Sequence, residues 1–166
     1  MACYNDFYYI EVEGDKKNVA AICKAVAEFA PKSDVTKEKN VIRISDTYCV
    51  GEEEEICAFV ALIARAAGGA SFTLEGETEY SCGGGTMCFY AEFKNGTLTM
   101  RFSDWCEVHS AEWYEDYETY EEYCDDWDDL ASEEDFETAK ESERVYIIDG
   151  KAYTEAPLGE ALVIEY

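Results

Sequence analysis

The chain has 166 residues, with 38 acidic and 13 basic side chains and a formal net charge of −25 at pH 7. This charge repels DNA, RNA and anionic membranes and attracts basic surfaces, so it argues against direct nucleic-acid binding and against a membrane partner. An aromatic content of 14% and a hydrophobic content of 48% predict a folded chain, because disordered acidic chains lack aromatic residues. The length of the chain predicts one domain, residues 1–166.

The sequence predicts a cytoplasmic protein. No basic segment followed by an apolar one is visible at the N-terminus, and the longest apolar run, residues 56–69, contains Arg65 and is too short to cross a bilayer. Of the eight cysteines, Cys23 and Cys57 fall within apolar helical patterns and Cys88 falls within a strand pattern. We therefore interpret most of the cysteines as buried, reduced thiols.

Hydrophobic periodicity predicts strands and helices in alternation through the first half of the chain. Residues 7–13 alternate as a strand, and Asp15 is placed to cap a helix that ends before Pro31. A polar loop over residues 32–40 and a short strand over residues 41–45 are expected next.

The four consecutive glutamates at positions 52–55 have a structural interpretation. They precede an apolar stripe at helical spacing, so they occupy the first turn of a second helix, where the helix dipole favours negative charge. Gly68 and Gly69 are expected to end this helix. The stripe consists of Ile56, Phe59, Val60 and Ile63.

The second half predicts a β-rich region. Two dipeptides, Asn95-Gly96 and Asp149-Gly150, lie between alternating apolar runs and predict tight hairpins. Together the patterns predict an α+β fold, with helices packed on one face of a largely antiparallel sheet, an acidic helical insertion and a C-terminal β-hairpin. Whether residues 144–166 join the main sheet stays open. The predicted strands are residues 72–75, 87–94, 97–103, 145–148, 151–154 and 161–166.

Residues 104–143 carry most of the charge. This segment holds 18 acids and a single base, Lys140, which leaves it about 17 of the 25 net negative charges. Apolar residues recur in it at spacings of three and four, which is one stripe of a helix. The stripe predicts a helix fixed to a core by its aromatic side chains, with carboxylates on the opposite face. Its members are Trp113, Tyr117, Tyr120, Cys124, Trp127 and Ala131.

A helix over residues 112–130 would place its acids at the charge density of DNA. At ~1.5 Å per residue it is roughly 28 Å long. Its ten acids then give about one charge per 2.9 Å, close to the ~3.4 Å of one DNA strand. Each pair of like charges four residues apart destabilises the helix by a few tenths of a kcal/mol, and no basic residue offsets this repulsion. Because the segment keeps these acids despite that cost, we favour a binding role over the alternative of a solvated surface. The acids are Glu112, Glu115, Asp116, Glu118, Glu121, Glu122, Asp125, Asp126, Asp128 and Asp129.

Two tyrosines of the same segment lie off the stripe. Tyr114 and Tyr123 fall closer to the acids than to the aromatic stripe. Because tyrosine is favoured at interfaces, we expect both to be exposed and to contact a partner together with the ten acids.

Catalytic and zinc chemistry are not favoured, and the sequence predicts no catalytic residue, no metal site and no cofactor. Cys106 and the single histidine, His109, could form a nucleophile–base pair, but carboxylates nearby weaken a thiolate. The same two residues with Cys82 and Cys88 could bind zinc, but the chain lacks the Cys-x-x-Cys pair that makes such sites recognisable.

Calcium and phosphate motifs are incomplete. Acids beginning at Asp126 match several ligand positions of a calcium loop, but Ala131 stands where that loop needs glycine. The glycines at 83–85 lack the Lys-Ser/Thr of a phosphate loop and join two predicted strands, so they indicate a hairpin loop.

The charge profile of residues 104–143 resembles that of acidic DNA-mimic proteins of phages and mobile elements, including anti-CRISPR and anti-restriction proteins. The resemblance is one of charge density and size, without a shared motif. It implies a small, non-enzymatic inhibitor whose partner is a basic nucleic-acid-binding protein, such as an RNA-guided CRISPR nuclease. Residues 9–29 and 98–105 also resemble ferredoxin-like domains encoded on conjugative plasmids, in agreement with the α+β class.

Two other functions stay open. In one, the chain is a regulatory interaction domain whose acidic helix docks a basic protein that does not handle nucleic acid. In the other, clustered carboxylates bind a metal or support hydrolysis, and metal analysis would identify that case.

Overall fold

The computed structural model describes residues 4–48 and 52–166, which form two compact units. The first, here called the sheet unit, runs to Phe102 and resumes at Leu158–Tyr166, and the second, the acidic unit, is Ser103–Pro157. Each unit has its own buried core. The α+β class is confirmed, while the single domain predicted for residues 1–166 stays a prediction because units of this size can belong to one domain.

The elements alternate between helix and strand at first and are mostly strands later. In chain order they are β1 (Tyr4–Glu13), α1 (Lys16–Phe29), β2 (Asp34–Glu38), β3 (Val41–Tyr48), α2 (Glu53–Ala66), β4 (Ser71–Tyr80), β5 (Gly85–Lys94), β6 (Thr97–Phe102), β7 (Glu107–Ser110), a 3-10 helix (Ala111–Tyr114), α3 (Tyr120–Asp126), α4 (Glu133–Glu141), β8 (Arg144–Ile148), β9 (Lys151–Tyr153) and β10 (Leu162–Glu165).

The sheet unit is built on an antiparallel sheet of seven strands in the order β10-β6-β5-β4-β1-β3-β2. Ile10 of β1, Leu74 of β4 and Ala91 of β5 lie side by side and are fully buried. Phe59 of α2 contacts the ring of Tyr8 on the same side, with 4.8 Å between ring centroids, and α1 adds three residues to this core. The predicted packing of helices on one face is therefore confirmed. The α1 residues are Val19, Ile22 and Val26.

Local signals set the ends of these elements as predicted. The Asp15 carboxylate accepts hydrogen bonds from the backbone N–H groups of Lys17 and Asn18, which caps α1. Glutamates 53–55 lie in the first turn of α2. Asn95 and Gly96 both have positive φ, as a two-residue type I′ hairpin requires, and so do Asp149 and Gly150 between β8 and β9.

The loop predicted for residues 32–40 is wrong, because residues 34–38 form β2. This strand pairs with β3 at the edge of the sheet, and only Val35 packs against the core. An edge strand with a single half-buried apolar residue has no alternating pattern for the sequence to show.

Residues 144–166 divide between two sheets. β8 and β9 form a three-stranded sheet with β7, whereas β10 pairs with β6 at the edge of the seven-stranded sheet. The backbone N–H of Gly159 donates to the carbonyl oxygen of Phe102 at 2.7 Å, so the chain leaves the sheet unit and returns to it at one place.

The continuous helix predicted for residues 112–130 is wrong. The segment is a short 3-10 helix, an irregular stretch and the seven residues of α3, which ends where Trp127 becomes extended. Thr119 starts α3, because its extended backbone interrupts the helix and its hydroxyl accepts from the N–H of Glu122 at 3.2 Å. Repulsion between the acids of residues 112–130, which no Lys or Arg in that segment offsets, also destabilises a long helix here.

The break changes which aromatic residues are buried. Tyr114 and Tyr123 are fully buried, so the expectation that they are exposed contact residues is wrong. Trp113 and Trp127, predicted to be core, are 44% and 42% exposed. The predicted stripe assumed one uninterrupted helical period, and that period is lost at Thr119.

Among the described residues, no helix is both long enough and apolar enough to cross a membrane. Of the six cysteines that the structure describes, Cys106 is buried, Cys23, Cys57 and Cys88 are half-buried, and Cys82 and Cys124 are exposed. Most are therefore at least half-buried, whereas Cys124, a member of the predicted stripe, is not. Burial raises the pKa of the Cys23 and Cys57 thiols, which makes them poor nucleophiles. Cys3 and Cys49 lie outside the described residues.

Candidate interaction surface of the acidic unit

The acidic unit concentrates the charge of the chain. Residues 103–157 contain 20 acids and three bases, a net of −17, whereas the rest of the chain has a net of −8. A third of the sequence therefore carries two thirds of the negative charge, and any basic surface is attracted mainly to this unit.

Nine of the ten acids predicted to bind a partner are exposed. Glu122 and Asp126 also hold the local structure, because Glu122 accepts from the N–H of Glu118 at 2.9 Å and Asp126 accepts from the Tyr117 hydroxyl at 3.0 Å. Asp129 is the exception, since it is half-buried and accepts from the hydroxyl of Tyr123. The nine exposed acids are Glu112, Glu115, Asp116, Glu118, Glu121, Glu122, Asp125, Asp126 and Asp128.

Two of the three bases of this unit, Lys140 and Lys151, contact groups other than these nine carboxylates. Lys140 Nζ donates to the carbonyl oxygens of Tyr117 and Glu118 at 2.7 and 3.3 Å and lies over the ring of Phe136. Lys151 lies over the ring of Tyr153 at 5.4 Å. A lysine held by carbonyl oxygens or over a ring face does not form an ion pair with a surface carboxylate. The two lysines therefore leave the negative potential of the exposed acids in place.

A compact aromatic core holds the acidic surface in place. The rings of Tyr114, Tyr123 and Phe136 contact one another with centroids 5.4 to 6.2 Å apart. Burial raises the pKa of both tyrosines far above its usual value, and the Asp129 carboxylate raises it further. Both hydroxyls therefore stay protonated at neutral pH and can donate hydrogen bonds within the core.

One acid of the segment has a structural role. Asp135, in the first turn of α4, is buried. Its Oδ1 accepts from the backbone N–H of Ala152 in β9 at 3.0 Å, and its Oδ2 accepts from the Ser132 hydroxyl at 2.6 Å. This carboxylate joins α4 to the small sheet and is not available to a partner.

His109 lies beside the aromatic core, between two carboxylates. Its Nδ1 is 2.6 Å from the Tyr114 hydroxyl and 3.9 Å from Asp129 Oδ2, and its Nε2 is 3.4 Å from Glu107 Oε2. With the proton on Nε2, the ring donates toward Glu107 and accepts from Tyr114. Both ring nitrogens thus face oxygen atoms of neighbouring side chains.

The residues considered for metal binding are arranged differently from the sequence hypotheses. Within the described residues, Glu107, His109 and Asp129 offer ligand atoms within 4.8 Å of one another, a group without cysteine. Asp126, the first position of the suspected calcium loop, is the last residue of α3, and Ser132 caps α4. The geometry therefore matches neither the cysteine-based zinc site nor the calcium loop.

Sequence reasoning missed an exposed pair of tryptophans. Trp113 and Trp127 contact each other with centroids 5.1 Å apart, and Trp113 stacks on His109 at 4.7 Å. Trp127 Nε1 donates to the Tyr117 hydroxyl at 2.9 Å, which fixes the second indole. The spacing of these residues was available in the sequence, but it matches a helical core stripe equally well.

No family model matches the chain, and no curated protein or solved structure shows a significant match to it.

Proposed function

We propose that the chain is a non-enzymatic cytoplasmic inhibitor that acts as an acidic DNA mimic in the basic nucleic-acid groove of a nuclease, such as an RNA-guided CRISPR effector. The observation that supports this is the acidic surface, nine exposed carboxylates on a buried aromatic core whose neighbouring base, Lys140, is held by carbonyl oxygens. A DNA groove presents lysine and arginine to phosphates, so fixed carboxylates compete for the same cations.

The mimicry does not depend on a straight helix. Because the 19-residue helix is absent, charges are not spaced along one axis as they are along a DNA strand. What remains is a high density of exposed negative charge in a compact unit. Attraction of this kind is long-ranged and is screened at a Debye length of ~8 Å at physiological salt, so we expect binding to weaken steeply as salt rises.

Competition with DNA tests the proposal. A fluorescent DNA duplex is bound to an RNA-guided nuclease or another basic nucleic-acid-binding enzyme, and its anisotropy is followed as the protein is added. We expect the DNA to be displaced, and we expect no binding of the protein to DNA alone. Direct binding of the protein to DNA contradicts the proposal. The proposal is also contradicted if the protein displaces DNA from none of the nucleic-acid-binding enzymes tested.

Two variants of equal charge separate the acidic surface from total charge. One carries Glu115→Gln, Asp116→Asn, Glu121→Gln and Asp125→Asn, four acids whose side chains make no hydrogen bond or ion pair within the described chain. The matched control carries Gln at positions 52–55, at the N-cap and in the first turn of α2. Both variants change the net charge from −25 to −21. We expect the first to lose affinity on the order of tenfold or more, and the control to change little.

A pull-down from cells identifies the partner. Capture of a basic protein that does not handle nucleic acid would favour the regulatory interaction domain over the inhibitor.

A further inference from the structure

The tryptophan pair has an unusual exposure. The chain has three tryptophans, and Trp105, Trp113 and Trp127 are all more than two fifths exposed, although tryptophan is usually highly buried. Trp113 and Trp127 contact each other, Trp113 stacks on the ring of His109, and Trp127 donates a hydrogen bond to the Tyr117 hydroxyl. Their indoles are exposed but already ordered, so a partner loses little conformational entropy in binding them.

Exposed acids flank this pair in the chain and beside His109. The exposed acids Glu112 and Asp128 are the chain neighbours of Trp113 and Trp127, and exposed Glu107 lies on the other side of His109. An indole attracts a cation through the negative face of its ring, and arginine can stack its plane on a ring while its N–H groups bind a carboxylate. A compact, strongly hydrated lysine ammonium uses such a site less well.

We propose that the Trp113–Trp127 pair is the anchor point of the acidic surface for a partner's arginine side chain. This inference rests on the proposed function, because it adds to the general attraction of the acidic unit a specific site that distinguishes guanidinium from ammonium. Tryptophan and arginine are also the residues that most often dominate the binding energy of protein interfaces.

Deca-arginine and deca-lysine peptides, which have equal charge, test the inference by calorimetry. We expect the wild-type protein to prefer deca-arginine, and we expect this preference to persist when salt is raised and both affinities fall. In the Trp113→Leu/Trp127→Leu variant the preference should fall by about two- to five-fold, the effect of an exposed cation–π contact, with little change for deca-lysine. Trp105→Leu is the matched control and should retain the full preference.

The possible outcomes separate the anchor from the proposed function. An unchanged preference in the double variant overturns the anchor but leaves the acidic surface intact as a docking site. If neither peptide binds the wild-type protein at low salt, both proposals fail. The quadruple acidic variant should weaken both peptides equally. If circular dichroism shows that the leucine variant does not fold, Trp113→Phe/Trp127→Phe keeps aromatic packing and should lose part of the preference, and an unchanged preference there also overturns the anchor.

Discussion

Replacing Asp135 with alanine should destabilise the acidic unit far more than replacing any exposed acid beside it. The substitution removes the acceptor of the buried Ala152 N–H, a hydrogen bond to a charged group worth about 1.5–3 kcal/mol. It also removes the acceptor of the Ser132 hydroxyl, worth about 0.5–1.5 kcal/mol, and a negative charge at the start of α4, worth about 0.3–1 kcal/mol. Because these contributions are not fully additive, we expect a loss of about 2–4 kcal/mol in the free energy of unfolding.

Tryptophan fluorescence during urea denaturation measures this loss directly, since all three tryptophans of the chain belong to the acidic unit. Glu134→Ala is the matched control, because it removes an exposed acid from the same helical turn and should cost about 1 kcal/mol at most. Asp135→Asn keeps an oxygen for the Ala152 N–H and should fall between the two. If Asp135→Ala and Glu134→Ala cost the same, the carboxylate does not join α4 to the small sheet.

Four further predictions concern packing, pH and charge. In a urea titration Tyr123→Ala should lower the free energy of unfolding by about 3–5 kcal/mol. Trp113→Ala should lower it clearly less, because much of that ring is already exposed, and equal losses would contradict the difference in burial. Burial first, and then a neighbouring carboxylate, raise the pKa of Tyr123 in the folded state, so its stabilisation is complete below the ordinary value of 10.0 and is lost as pH rises above it. The urea midpoint should therefore fall between pH 8 and pH 11, and Tyr123→Phe should reduce that fall. Gly76→Ala should lower the free energy of unfolding by about 1–3 kcal/mol, because a Cβ would lie 2.1 Å from the Phe89 ring. In a double-mutant cycle Phe89→Leu should recover part of this loss, and additive effects would show that the two residues do not interact. Asp125→Asn should raise stability by a few tenths of a kcal/mol, because it removes a like-charge pair with Glu121 from α3, and a lower melting temperature would contradict this.

Sequence patterns predicted the sheet unit well because its signals are local. The Asn95-Gly96 turn needs positive φ at both positions, and few other residue pairs tolerate it. The apolar stripe of α2 follows a run of acids that a helix N-terminus favours. Signals of this kind act within a few residues, so they do not depend on contacts with distant parts of the chain.

The acidic unit was harder because its structure depends on contacts between distant residues. Tyr114 and Tyr123 are buried against Phe136, which no periodicity within residues 112–130 can show. Thr119 could have been recognised as a cap, since a threonine precedes glutamates there, but the regular spacing of aromatics favoured an unbroken helix. The density of acids, and thus the candidate surface, was predictable from composition, whereas the exposed tryptophan pair was not.

The position of β10 has a consequence for how the chain folds during synthesis. Its partner strand β6 is complete before the acidic unit is made, whereas β10 is made only after that unit, so pairing the two strands joins residues about 65 positions apart, a separation that adds only modestly to the entropy cost. Until then β6 presents an unpaired edge, which invites pairing between nascent chains. The inserted unit supplies a net charge of −17 during this interval, so mutual repulsion keeps incomplete molecules apart until their own last strand covers the edge.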